Sequence, residues 1–250
     1  FYHPLLLLSG ARLVTSLSGA TDRQEVTEDG RLVSAIYAAL ASVCFFWIAW
    51  IAKGRTAGIL VALLTALTPS LFVHAHYFKE DTALLFGMAA VFLSLVVYLK
   101  MPSRRTLIWV GVGSALAASG KYPGLMFSLV GLATVLWVGR STNGRAWKKT
   151  LLWWFLGWIG VFLLVNYPIL LEPQRFVQGV HFEAYHVQDS HKGIRTMPFG
   201  TYYLRTWWGE AEWPVRVRTL LYYGLFFMRW KTRPPWERLM ALSIPAYQVV

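Results

Sequence analysis

The sequence predicts an all-α fold: a polytopic transmembrane helical bundle with an outer interfacial helix and a long extracytoplasmic loop. Three observations carry this. The chain is 56% hydrophobic and only 14% charged, with a mean hydropathy of +0.45, whereas a water-soluble domain carries about 25% charged residues. Several apolar runs reach the roughly 17–25 residues that cross a bilayer. The loops between those runs alternate between strongly basic ones and mixed-charge ones that carry histidine.

Residues 1–31 form the outer loop and interfacial helix. Pro4–Ala20 is amphipathic and contains Arg12, so it lies more easily along the outer interface than across the bilayer. Residues 32–171 hold the transmembrane helices. Leu32–Ala52 is the clearest span, followed by Ala57–Val73, Thr82–Leu99, Tyr122–Val138 and Thr150–Leu171; Thr106–Ser119 is short enough to be a half-span. Residues 172–213 make the extracytoplasmic loop. Residues 214–250 hold further helices: Val215–Met228, whose Arg216 and Arg218 must snorkel outward, and Leu239–Val250, which stops at the chain end. The chain starts at Phe1 without a Met or signal sequence, so residues 1–250 read as one domain truncated at both ends.

Charge sets the orientation, because short cytoplasmic loops carry an excess of Lys and Arg. Lys53 and Arg55 fill one loop, and Lys100, Arg104 and Arg105 the next. Arg140, Arg145, Lys148 and Lys149 fill a third, and Arg229, Lys231, Arg233 and Arg238 a fourth. All six histidines and eleven of the twelve acids then fall on the other side, Glu237 being the exception. The net charge of +12 needs no nucleic acid, since a basic rim facing anionic lipid accounts for most of it. Cys44, the sole cysteine, lies inside a span, which excludes an intrachain disulfide and argues against a thiol nucleophile. Trp47, Trp50, Trp109, Trp137 and Trp147 sit near predicted cytoplasmic ends, as an interfacial aromatic belt requires.

Three polar constellations stand on the outer face. His74-Ala-His76-Tyr77-Phe78-Lys79-Glu80-Asp81 joins two spans. Asp81 or Thr82 there has a structural use, as cap of the next helix, but ionisable groups held at membrane depth are costly and usually functional. His74 and His76 share a face only if that segment is extended; a divalent metal is then conceivable, although no third ligand is fixed. Ser119-Gly120-Lys121-Tyr122-Pro123-Gly124 breaks the chain between two apolar runs. Lys121 either snorkels to the interface or serves a phosphate as a point charge; the glycine spacing is not that of a Walker loop. In Glu172–Trp213, a helix over Phe176–Val187 makes Glu183 and His186 i, i+3 neighbours, and His191 follows. Such a helix is ordinarily a solvated one, yet loops this long tend to be functional or disordered, and the aromatics Phe182, Tyr185, Tyr202, Tyr203, Trp207 and Trp208 argue against disorder.

These motifs, in this order, resemble the GT-C superfamily of membrane glycosyltransferases, in particular the branch of protein O-mannosyltransferases and lipid A aminoarabinose transferases. Tyr2-His3-Pro4-Leu5, Arg31-Leu32-Val33-Ser34-Ala35, His76-Tyr77-Phe78-Lys79-Glu80-Asp81, Ser119-Gly120-Lys121-Tyr122 and Phe182-Glu183-Ala184-Tyr185-His186 with Ser190-His191-Lys192-Gly193 carry the resemblance. It implies an enzyme of a bacterial inner membrane. Such an enzyme takes a sugar from a polyprenyl-phosphate donor and passes it, with inversion, to a lipid, protein or polysaccharide acceptor on the extracytoplasmic face. It also implies a carboxylate base upstream of Tyr2, outside this sequence. Asp81 matches the second acid, and His76 stands where the mannosyltransferases have Arg. Asp81, Glu80 and His76 are therefore the catalytic candidates; His3, His74, Lys121, Tyr122, His186 and His191 are candidates for substrate and phosphate. No cofactor beyond a possible divalent metal is implied. The rival readings are a transporter, which calls for repeated halves and broken helices at the midplane, and a non-catalytic membrane subunit.

Overall fold

Helices account for nearly all of the computed structural model, which describes residues 5–142 and 147–189 and, near the C-terminus, 224, 227, 228, 230–232 and 238; side chains at 141–142 and 183–189 are not among those described. The order is α1 (Leu6–Ser18), α2 (Arg23–Lys53), α3 (Arg55–Ala66), α4 (Pro69–Ala75), α5 (Asp81–Lys100), α6 (Arg104–Gly120), α7 (Gly124–Thr142), α8 (Trp147–Val165), α9 (Tyr167–Leu171) and α10 (Pro173–Asp189). The chain divides into one unit up to Val180 and another from His181. Among the described residues α2, α5 and α8 are long and apolar enough to cross a membrane, and α3 with α4 adds a fourth span if the bent pair counts as one.

Helix α1 ends at Gly19 in the left-handed region (φ 73°), and its 13 residues reach about 20 Å, too short for the roughly 30 Å hydrocarbon core. It packs along α2 through Leu6, Leu7 and Val33, while Leu13 and Leu17 stay exposed. The Tyr37 hydroxyl donates to the Leu6 carbonyl at 3.0 Å.

Helix α2 begins well before its apolar run. Asp22 accepts from the Gln24 and Glu25 amides and Glu25 reaches back to the Asp22 amide, a capping box that closes the first turn in water. Its 31 residues extend about 46 Å, so the first turns stand clear of the membrane. Asp22→Ala is expected to cost about 1 kcal/mol and to raise amide exchange at Gln24 and Glu25, leaving the rest of α2 protected.

Two predicted spans are broken. The run Ala57–Val73 bends by 61° between α3 and α4. Pro69 supplies no amide hydrogen, and the preceding Thr68 is driven to extended geometry (φ −73°, ψ 113°). The run Thr150–Leu171 breaks at Asn166 into α8 and α9, with Pro168 near the start of α9. Thr106–Ser119, read as a half-span, lies inside the 17-residue α6. Its low hydropathy has a packing cause: Gly, Ala and Ser face protein instead of lipid, and Val110, Ser114, Ala115, Ala117 and Ser119 are completely buried.

Backbone approach builds the centre. A Cβ on Gly87 of α5 would strike the Ala117 backbone of α6, and one on Gly113 would meet Ala90 and Val91 at 2.9 Å. On another face of α6, Gly111 lies against the Trp154 carbonyl and Gly157 of α8 against the Ile108 carbonyl. In lipid, where apolar surface gains little by moving between tails and protein, such close contact between small residues holds helices together. Indole donors add to it: Trp158 reaches the Ser128 hydroxyl at 3.0 Å and Trp154 the Ser114 hydroxyl at 3.4 Å.

The basic ends gather at the opposite side of the bundle from Asp81. The Lys100 ammonium donates to the Ile51 carbonyl, tying α5 to α2, and Trp47 stacks on Trp50 there. Arg104 lies over the Trp153 ring and Arg140 over Trp147. The predicted helix over Phe176–Val187 falls within α10. Of the predicted spans Val215–Met228 and Leu239–Val250, all but Gly224, Phe227 and Met228 lie outside the described residues.

Candidate functional site

The turn from α4 to α5 carries a half-buried aromatic plug and a half-buried acid. The Phe78 ring sits on Gly30 of α2, where a Cβ would meet ring carbons at 2.5–2.6 Å, and joins the cluster of Leu6, Leu7, Val33 and Ala83. With the loop pinned, Asp81 becomes the first residue of α5 and its carboxylate stands at the positive end of that helix. The expected cap is not formed. Glu80 occupies the N-cap without a side-chain capping bond, and the Thr82 hydroxyl is turned into the protein, buried and without a hydrogen-bond partner among the described residues.

Lys121 arrives from the other side. It follows α6 in extended geometry (φ −162°, ψ 157°), because Gly120 lies on the backbone of Ala83 and Leu84, at 2.8–2.9 Å from the position of a Cβ. A larger residue there would push α6 off the first turn of α5. The Lys121 ammonium donates to Asp81 Oδ1 at 2.8 Å, and His74 Nδ1 stands 3.6 Å from Asp81 Oδ2. The three side chains are 31%, 36% and 43% exposed in the order Lys121, Asp81, His74. The pair is thus sheltered on one side and open to a ligand on the other. Lys79 adds positive potential at Asp81.

The predicted residues separate accordingly. Asp81, Lys121 and His74 converge, with Glu80 adjacent in the chain. His76 does not join them: its Nδ1 lies 2.7 Å from the Phe72 carbonyl and its ring 4.3 Å from that of Phe72. The segment from His74 to His76 is a helix end instead of a strand, so the two histidines do not share a face. Tyr122 is half-buried in the turn after Lys121. His186 belongs to the backbone of α10 but its side chain is outside the described residues, as are His3 and His191 altogether. Among the described residues no three of His, Cys, Asp and Glu gather as a metal site. His74 and Asp81 supply two donors, one carboxylate oxygen being taken by Lys121, and a catalytic zinc site needs three.

Asn166 escaped the sequence reading. It is 2% exposed. Its Oδ1 accepts the Leu5 amide at 3.1 Å, and its Nδ2 donates to the Ser119 hydroxyl at 2.6 Å and to the Phe162 carbonyl at 2.9 Å. A lone amide inside the apolar run Thr150–Leu171 was the available signal, since such groups bond across helices in membranes.

Chemically, an ammonium beside a carboxylate at a half-open rim can hold a phosphate by charge while the carboxylate keeps the ammonium in place. The model of a family described as dolichyl-phosphate-mannose-protein mannosyltransferase matches residues 19–186, a stretch that contains Asp81, Lys121, His74 and Asn166. No curated protein and no solved structure matches the chain.

Proposed function

The chain belongs to the dolichyl-phosphate-mannose-protein mannosyltransferase family, and from that premise we propose that the Asp81–Lys121 pair binds the phosphate of a lipid-linked sugar on the extracytoplasmic face. Membership makes the protein a membrane glycosyltransferase of the type that uses a polyprenyl-phosphate-linked donor. The observation that supports the site is the 2.8 Å contact between Lys121 and Asp81, residues of two separate motifs at one rim of the bundle.

In the proposed reaction an acceptor hydroxyl oxygen attacks the anomeric carbon from the face opposite the phosphate. The bond from that carbon to the phosphate oxygen breaks, the electron pair leaves with the phosphate, and the configuration inverts. The acceptor proton passes to a carboxylate base. Lys121 meets the charge growing on the leaving phosphate, which is where a fixed cation contributes most. Asp81 aims Lys121, and His74 offers a second nitrogen at the same rim. Glu80 flanks the pair, and the exposed His76 and Tyr77 border the approach of the donor.

The test uses the full-length protein in membranes with polyprenyl-phosphate-linked mannose and a hydroxyl-bearing peptide, lipid and polysaccharide as acceptors. Mannose is expected to pass from the lipid donor to one acceptor with the opposite anomeric configuration. Transfer from a nucleotide sugar instead, or a retained configuration, refutes the mechanism. Lys121→Met is expected to lower kcat by about 10²-fold, with Lys121→Arg recovering most of it; equal activity of the methionine variant and wild type removes Lys121 from the site.

A further inference from the structure

The buried amide of Asn166 ties together three stretches of chain that meet just beneath the Asp81–Lys121 pair. Its partners Leu5 and Ser119 are 161 and 47 positions away in sequence. An amide offers two donors and two acceptor sites, and three of the four are used here. Ser119 is itself completely buried. It is followed by Gly120, which rests on Ala83 and Leu84, and then by Lys121. Asp81 stands just before Ala83 and Leu84 on α5. The last turn of α6 is therefore held from two directions: by Asn166 through the Ser119 hydroxyl, and by the first turn of α5 through Gly120. The reach of the Lys121 ammonium to Asp81 follows from the height and rotation of that turn.

We infer that Asn166 is a positioning residue, whose bond to Ser119 sets the last turn of α6 so that Lys121 meets Asp81. The same amide holds the Leu5 N–H, so the start of α1 is fixed to this arrangement as well. A purely structural filler would not need this geometry, since leucine has nearly the same size and belongs naturally in an apolar span. This inference rests on the proposed role of the Asp81–Lys121 pair.

The experiment is a double-mutant cycle on the full-length protein in membranes, reading kcat and KM for polyprenyl-phosphate-linked mannose. The variants are Lys121→Met, Asn166→Leu, the two combined, and Ser119→Ala as the partner-side change. Lys121→Met is expected to lose about 10²-fold in kcat, and Asn166→Leu up to about 10²-fold through misplacement. The combination should then stay near 10²-fold instead of approaching 10⁴-fold, because both changes remove one function. Ser119→Ala should lower kcat in the wild-type background and add nothing in the Lys121→Met background; it carries the test alone if Asn166→Leu does not accumulate. Losses that multiply, or wild-type kcat in both Asn166→Leu and Ser119→Ala, overturn the positioning role while leaving the pair's role intact. Wild-type kcat in Lys121→Met overturns the reading of the pair itself, and the inference with it.

Discussion

Asp81→Asn in the full-length protein is expected to lower sugar transfer by at least about 10²-fold, the scale on which a positioned charged group contributes to a transition state. The amide keeps the size of the carboxylate but not its charge. Lys121 loses the partner that holds it at 2.8 Å, and His74 loses the anion 3.6 Å away. The ammonium is then held less firmly at a half-open rim, so a cation aimed at the phosphate is less well placed. Fold stability should change little, because both side chains are part-exposed and surface ion pairs contribute at most about 1 kcal/mol. The check is transfer from polyprenyl-phosphate-linked mannose alongside a thermal midpoint. Wild-type transfer by a well-folded Asp81→Asn protein would take Asp81 out of the site.

Gly87→Val is expected to damage folding more than any surface change. The new side chain would meet the Ala117 backbone, and neither helix can yield without parting α5 from α6. Overpacking of a tight core costs about 1–3 kcal/mol and occasionally more, and a backbone obstacle belongs at the upper end. Lys121 rides on α6 and Asp81 on α5, so the residual folded protein should also be slow. Gly160→Ala is the control: nothing lies within 4 Å of the added carbon, and a helical alanine there should be neutral or mildly stabilising. Thermal unfolding of both variants in the same detergent gives the comparison. Equal midpoints would mean that the α5–α6 approach is looser than described.

Particular residues show how far the sequence could be read. Asp81 and Lys121 were both visible as ionisable groups at the ends of apolar runs. Their contact was not, since forty positions separate them and pairing depends on two helices meeting. His74 and His76 were indistinguishable by composition; a helical turn sends one towards Asp81 and the other onto Phe72. Pro69 was legible, yet the hydropathy of Ala57–Val73 concealed the bend it causes. Helix α6 is only weakly apolar for a related reason, because residues that face protein can be small. Asn166 is one polar residue in a long apolar segment, and its partners Leu5 and Ser119 lie too far away in sequence for a local pattern to show.

The sequence by itself determined the class of structure: apolar runs, their lengths, the alternation of basic and histidine-bearing loops, and the motifs that resemble a glycosyltransferase family. Those properties are local and additive along the chain, because each residue's transfer into lipid is nearly independent of its distant neighbours. The tertiary structure alone decided which ionisable groups meet. That depends on how closely backbones approach at Gly87, Gly113 and Gly120 and on the hydrogen bonds of one buried amide, contacts between residues too far apart in sequence for any local pattern to record.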